Sequence, residues 1–138
     1  MHHHDVLSVR LLDTVPRARR GEVARTADRV TVPAGTVLVR QGELAHEFFV
    51  ILDGVADVTQ DGRPLTVLGP GDFFGEIGLV GPPFRTATVT ARSELCLAVV
   101  ARREFRTLLR RFPELASVVL SAGRTRVVSP LREVEALP

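Results

Sequence analysis

The chain has 138 residues, 45% of them hydrophobic and 25% charged, with a formal net charge of +2 and one cysteine. That length fits a single domain with an ordinary core, and that balance is the balance of a folded protein rather than a disordered one. One cysteine excludes an internal disulfide, and the absence of lysine excludes a Walker A loop, a Schiff-base lysine and a kinase-type lysine.

Residues 1–4, MHHH, read as a purification tag or its remnant and are set aside, which leaves 5–138 as one domain with His46 as its only histidine. His46 reads as a loop or strand-edge residue, and Cys96, in LCLAVV, as a buried structural thiol in a reducing cytoplasm. The longest apolar run in the middle of the chain, FFVIL at 48–52, is far shorter than the roughly 20 residues of a membrane helix. With no span and no secretory leader, a cytoplasmic protein is expected. The arginines are scattered in small groups (17, 19 and 20; 102 and 103; 110 and 111), which suits solvated helix faces; nucleic-acid binding by this chain alone is not expected.

In chain order, residues 5–28 carry helical spacing at Val6, Val9 and Leu12, then at Val23 and Ala27 after Pro16. From about 29 to 101 the texture changes to short β-branched and aromatic runs: VTV, TVLV, EFFVIL, VADVT, LTVL, TATVTA and LCLAVV. Turn signals cut them apart at PAG (33–35), QG (41–42), DG (53–54 and 61–62) and GPG (69–71). Strands recurring at such spacing indicate an antiparallel sandwich or barrel, not a βαβ sheet. From Arg102 to about 128 helical spacing returns: Phe105, Leu108, Leu109 and Phe112 form one stripe, Pro113 interrupts it, and Leu115, Val118, Val119 and Ala122 form the next. The expected fold is mainly β with flanking α, an antiparallel double-stranded, jelly-roll-like β-roll of about eight strands. N-terminal helices, a short helix inside the roll and two C-terminal helices complete it.

FGEIGLVGPPFRTATV, residues 74–89, holds one acid, Glu76, and one base, Arg85, nine positions apart in apolar and glycine-rich surroundings. GEIGLV suits one turn of helix, whose unpaired amides near Gly75 to Gly78 can receive an anion, with Gly75 allowing close backbone approach. A guanidinium at Arg85 can grip a phosphate through parallel hydrogen bonds, whereas Glu76 suits a neutral donor such as a sugar hydroxyl. A nucleotide combines both groups.

The stretch resembles the phosphate-binding cassette of the cyclic nucleotide-binding domain family, which includes the bacterial catabolite activator protein, the regulatory subunits of cyclic AMP-dependent kinase and nucleotide-gated channels. FGEIGL leads through VGPPF to RTATV with the family's spacing from glutamate to arginine. VTVPAGTVLVRQGE, FFVILDGVADV and VLGPGDFFGE resemble the strands that lead up to it, so the likeness covers roughly residues 11–120. The resemblance implies that Arg85 holds a cyclic phosphate and Glu76 the ribose 2′-hydroxyl, and that the backbone at Gly75 and Ile77, with Thr86, completes the phosphate site. It also implies a base resting among roll residues such as Val58 and Leu65, under a lid formed by the helix from Pro113. Gly78, where alanine is commoner, and Phe84, where proline or a polar residue is usual, depart from the pattern and bear on affinity.

Double-stranded β-rolls also house metal enzymes, but these need several converging histidines or carboxylates, and one histidine cannot supply a histidine cluster. No serine or cysteine stands in a recognisable arrangement with a histidine either. No catalytic residue, metal or cofactor is therefore expected. The expected function is a regulatory sensor that binds a cyclic nucleotide, cAMP foremost and cGMP second, and signals by moving its C-terminal helix to an effector domain or partner protein. A homodimer is also considered. Two alternatives stand beside this reading: a ligand-free structural or partner-binding domain of the same fold, and the sensor fragment of a transcription regulator or other multidomain protein.

Overall fold

The computed structural model describes residues 10–76 and 84–122. Eight strands appear among these residues: β1 (Asp28–Val32), β2 (Val37–Val39), β3 (Glu47–Asp53), β4 (Ala56–Gln60), β5 (Arg63–Leu68), β6 (Phe73–Phe74), β7 (Thr88–Ala91) and β8 (Leu95–Ala101). They form two four-stranded sheets, in the orders β1-β8-β3-β6 and β2-β7-β4-β5. Every pairing is antiparallel. The expected β-roll is thus the fold of the chain.

The apolar pattern explains the layering. Along β3, Phe49 and Ile51 turn into the space between the sheets, where they meet Leu95 and Leu97 of β8 and Val89 and Ala91 of β7. Phe48, Val50 and Leu52 turn the other way and pack with Ala98 and Val100 against the helices. A strand covered on both faces reads as a continuous apolar run, which is why EFFVIL and LCLAVV lack alternation. β4 has one wet face, so Ala56 and Val58 point inward while Asp57 pairs with Arg92 outside.

Tight reversals join the strands where the sequence places its turn dipeptides. Asp61 and Gly62 both have positive φ, 52° and 77°, the signature of a type I′ hairpin turn between β4 and β5. Gln41 clasps that turn through a 2.9 Å bond from its Nε2 to Asp61 Oδ1 and a 2.8 Å bond from the Asp61 amide to its Oε1. At Gly54, with φ of 97°, a Cβ would stand 2.2 Å from the Glu94 carbonyl, so no other residue fits.

Helices cover the outer face of the first sheet. The N-terminal segment, expected as helix over 5–28, is broken into 3₁₀ turns at Arg10–Thr14 and Arg17–Arg19 followed by α1 (Arg20–Ala24); residues 5–9 lie outside the described part. Pro16 is the reason: it lacks an amide hydrogen and sits extended at ψ 135°. Helix α2 (Arg102–Arg111) buries Phe105 and Leu108, and Phe105 stacks on Phe48 with centroids 4.5 Å apart. It ends at Phe112, held extended (φ −127°, ψ 87°) by the proline that follows, and residues 113–122 form α3. Leu115 and Val119 of α3 are buried in the helical layer, but Val118, expected on the same stripe, is 42% exposed. No described helix is long and apolar enough to cross a membrane. Cys96 is half-buried rather than buried, on β8 at the edge of the helical layer.

Candidate ligand-binding site

The site is built where β6 runs out. Phe74 pairs with Phe49 of β3, and their rings stack at 4.7 Å and 9°. The next residue, Gly75, adopts φ of 97°; a Cβ there would come within 2.8 Å of the Glu47 carbonyl oxygen and 3.0 Å of Arg85 Nη1. Only glycine lets the backbone lie this close to the arginine. Glu76, which follows, is completely buried.

Arg85 comes from the segment that leads into β7. Its amide donates to the Glu43 carbonyl at 2.8 Å and its carbonyl accepts from the Gly42 amide at 2.9 Å, next to a single bridge between Leu44 and Phe84. With its backbone so pinned, the side chain points inward and is only 6% exposed. Nη2 donates to the Glu47 carbonyl at 2.9 Å and Nη1 to the Gly75 carbonyl at 3.2 Å, while the guanidinium lies 5.8 Å from the Phe49 ring centroid. Burial pushes the Arg85 guanidinium below its ordinary pKa; the charge of Glu47 opposes this, nearby Arg102 reinforces it, and Glu76 again opposes it. Those hydrogen bonds end on neutral carbonyl oxygens and use two of the five N–H donors of a guanidinium, so the group can still face an anion.

The expected site residues distribute as follows. Gly75, Glu76 and Arg85 converge, Gly75 touching the guanidinium and Glu76 attracting it. Thr86 is half-buried beside them, its carbonyl accepting a 2.7 Å bond from Gln60 Nε2. Val58 is half-buried on the inner face of β4 and packs on the interior cluster. Leu65 is half-buried one strand farther out, at the β5 bulge, and is not part of that cluster. Ile77 and Gly78, with the expected helical turn, lie outside the described residues; Phe84 is 51% exposed.

Four neighbours escaped the sequence reading. Glu47 acts through a backbone carbonyl, which any residue carries and no sequence pattern betrays. Phe49 reads as core, which it also is. Arg102, at the start of α2, donates its amide to His46 O at 2.9 Å and its Nη2 to Ala45 O, tying the helix to the segment that leads into Glu47. Gln60 did leave a signal, as a polar residue at an inward position of the alternating strand VADVTQ. Among the described residues, no group of three or more His, Cys, Asp and Glu side chains is placed to hold a metal; His46 itself is exposed.

The fold is thus a two-sheet antiparallel roll flanked by helices, in which a buried arginine and a buried glutamate meet at a left-handed glycine. The family profile described as the cyclic nucleotide-binding domain matches residues 29–112, and the chain belongs to that family. Among its relatives, the cAMP-dependent protein kinase regulatory subunit of Schizosaccharomyces pombe is 35% identical over 102 residues, 73% of this chain and 25% of that protein. A cyclic nucleotide-gated potassium channel of Rhizobium etli is 33% identical over 128 residues, 93% of this chain and 36% of the channel. The chain therefore spans only about a quarter to a third of these relatives. Among solved structures, the regulatory domain of Toxoplasma gondii PKA in co-crystal with cAMP superposes with a TM-score of 0.72 at 30% identity, covering 83% of this chain and 46% of that one.

Proposed function

We propose that this domain is a sensor that binds a 3′,5′-cyclic nucleotide, cAMP before cGMP, and reports occupancy through its C-terminal helices. The observation that carries the reading is the buried Arg85 guanidinium beside the fully buried Glu76 at Gly75. A buried cation facing neutral carbonyls is stabilised by an arriving anion, and a cyclic phosphate supplies one. In this reading Arg85 holds the phosphate, the backbone at Gly75 and Ile77 with Thr86 completes its cradle, and Glu76 accepts the ribose 2′-hydroxyl. Val58 and Leu65 border the base. The cAMP co-crystal of the Toxoplasma domain supports cAMP as the first ligand to try.

Signalling would run through β3 and Arg102. The Glu47 carbonyl takes the Arg85 bond at one end of a segment whose other end, Ala45 and His46, is gripped by Arg102 of α2. A phosphate that pulls on Arg85 thereby acts on the footing of α2 and, beyond Pro113, of α3, the helix expected to cover the base. The recipient is an effector domain or partner protein, in keeping with the larger size of the relatives. The chain's own role is binding, with no catalytic group assigned.

A thermal-shift titration tests this directly. Ligand that binds only the folded state stabilises it by about 2.7 kcal/mol at a concentration one hundred times its Kd. A Tm that climbs with cAMP or cGMP but not with adenosine is the expected result; identical curves with all three would favour a ligand-free structural domain.

A further inference from the structure

Gln60 is buried at the end of β4, with 9% of its surface exposed. It shares the inward face of that strand with Ala56 and Val58, because alternate strand residues point the same way and Asp57 between them pairs outside with Arg92. Its Nε2 donates to the Thr86 carbonyl at 2.7 Å, immediately after the arginine of the site. Its Oε1 is also buried, and no group among the described residues donates to it.

The orientation of this amide is not arbitrary. Turning it over would set Oε1 against the Thr86 carbonyl, acceptor against acceptor, so the Thr86 bond fixes the oxygen on the other side. Buried polar atoms are almost always paired, and an amide oxygen held dry without a donor is costly. This one shares the inward face with Val58 and is anchored next to Arg85.

We propose that Gln60 Oε1 accepts a hydrogen bond from an exocyclic amino group of the purine in a bound cyclic nucleotide, making Gln60 a specificity-determining residue of this site. The proposal rests on the cyclic nucleotide reading above and adds to it the part of the ligand that Arg85 and Glu76 leave unread. Adenine offers its 6-amino group and guanine its 2-amino group; the chemistry is the same, and matched ligands separate the two sources.

Isothermal calorimetry on the whole chain compares cAMP with the cyclic monophosphate of purine riboside, and cGMP with cyclic IMP. Each pair differs by the amino group alone. The wild-type protein should lose about 3- to 10-fold in affinity when the amino group is removed from one of the two pairs, the size of one neutral hydrogen bond. In Gln60→Leu that pair should become equal, while the affinity for the ligand lacking the amino group stays near its wild-type value. Equal affinities within both pairs in the wild-type protein, or a penalty that persists unchanged in Gln60→Leu, overturns the proposal and assigns the oxygen a structural role. The wild-type comparison needs no variant, so a misfolded Gln60→Leu leaves it decisive. Failure of all four ligands to bind the wild-type protein overturns the parent reading, and this one with it.

Discussion

At Gly75 the packing leaves no room for a single methyl group. Its positive φ and the 2.8 Å approach that a Cβ would make to the Glu47 carbonyl predict that Gly75→Ala destabilises the fold by about 1 to 3 kcal/mol, read as a lower urea midpoint. The same change pushes on Arg85 Nη1, so ligand affinity should fall with it. Glu76→Gln is a cleaner probe of chemistry. If Glu76 accepts the 2′-hydroxyl, the variant, whose amide oxygen still accepts but carries no charge, loses about 1 to 1.5 kcal/mol of affinity for cAMP but little for 2′-deoxy-cAMP, and equal losses for both would reject that role. That Glu76 and Arg85 meet was legible in the sequence through the likeness of FGEIGLVGPPFRTATV, with its nine-residue step, to the family's cassette. What holds Arg85 in place was not: its acceptors are main-chain oxygens of Gly75 and Glu47, the latter 38 positions away along the chain.

Most of the individual strands were legible, because β-branched runs and left-handed glycines or Asp61-Gly62 mark both the strands and their reversals. The N-terminal segment was expected to be helical, with spacing at Val6, Val9 and Leu12 and a new start at Pro16; much of it forms 3₁₀ turns, because buried Leu11, Leu12 and Val15 around an extended Pro16 suit such turns as well as they suit an α-helix. Helix α2 depends on Phe105, buried at 2% exposure and stacked on Phe48, and Phe105→Ala should cost about 3 to 5 kcal/mol in denaturant unfolding. Glu22 of α1 joins the same helix from outside, bonding Arg19 at 2.9 Å and pairing with Arg111. The Arg19 hydrogen bond holds the Glu22 carboxyl below its ordinary pKa; desolvation works against it, and the charge of Arg111 reinforces it. The unfolded chain therefore takes up this proton first as pH falls. The contribution of Glu22 is complete above the ordinary carboxylate range and is lost as pH drops through its lowered value. Urea midpoints of wild type and Glu22→Gln should accordingly differ near neutrality and converge in acid, with a small gap that salt narrows further because the pair is exposed.

At the scale of the molecule, one sheet serves two layers. β3 gives Phe49 and the Glu47 carbonyl to the site on one face and Phe48, Val50 and Leu52 to the helices on the other. Such a strand can carry an event at Arg85 to α2, helped by the Arg102 grip on Ala45 and His46. Amide exchange should then change on ligand binding at the start of α2 as well as around Gly75 and Arg85; protection confined to the site would argue against transmission. The central claim is that Arg85 is held in readiness for a cyclic phosphate. A calorimetric titration of the protein with cAMP and cGMP, repeated on Arg85→Ala, tests it most directly. The account predicts saturable one-site binding that the variant weakens by about 2 to 5 kcal/mol, the loss of a buried charge partner. No saturable heat with either nucleotide at millimolar concentration, or an affinity indifferent to Arg85→Ala, would contradict it.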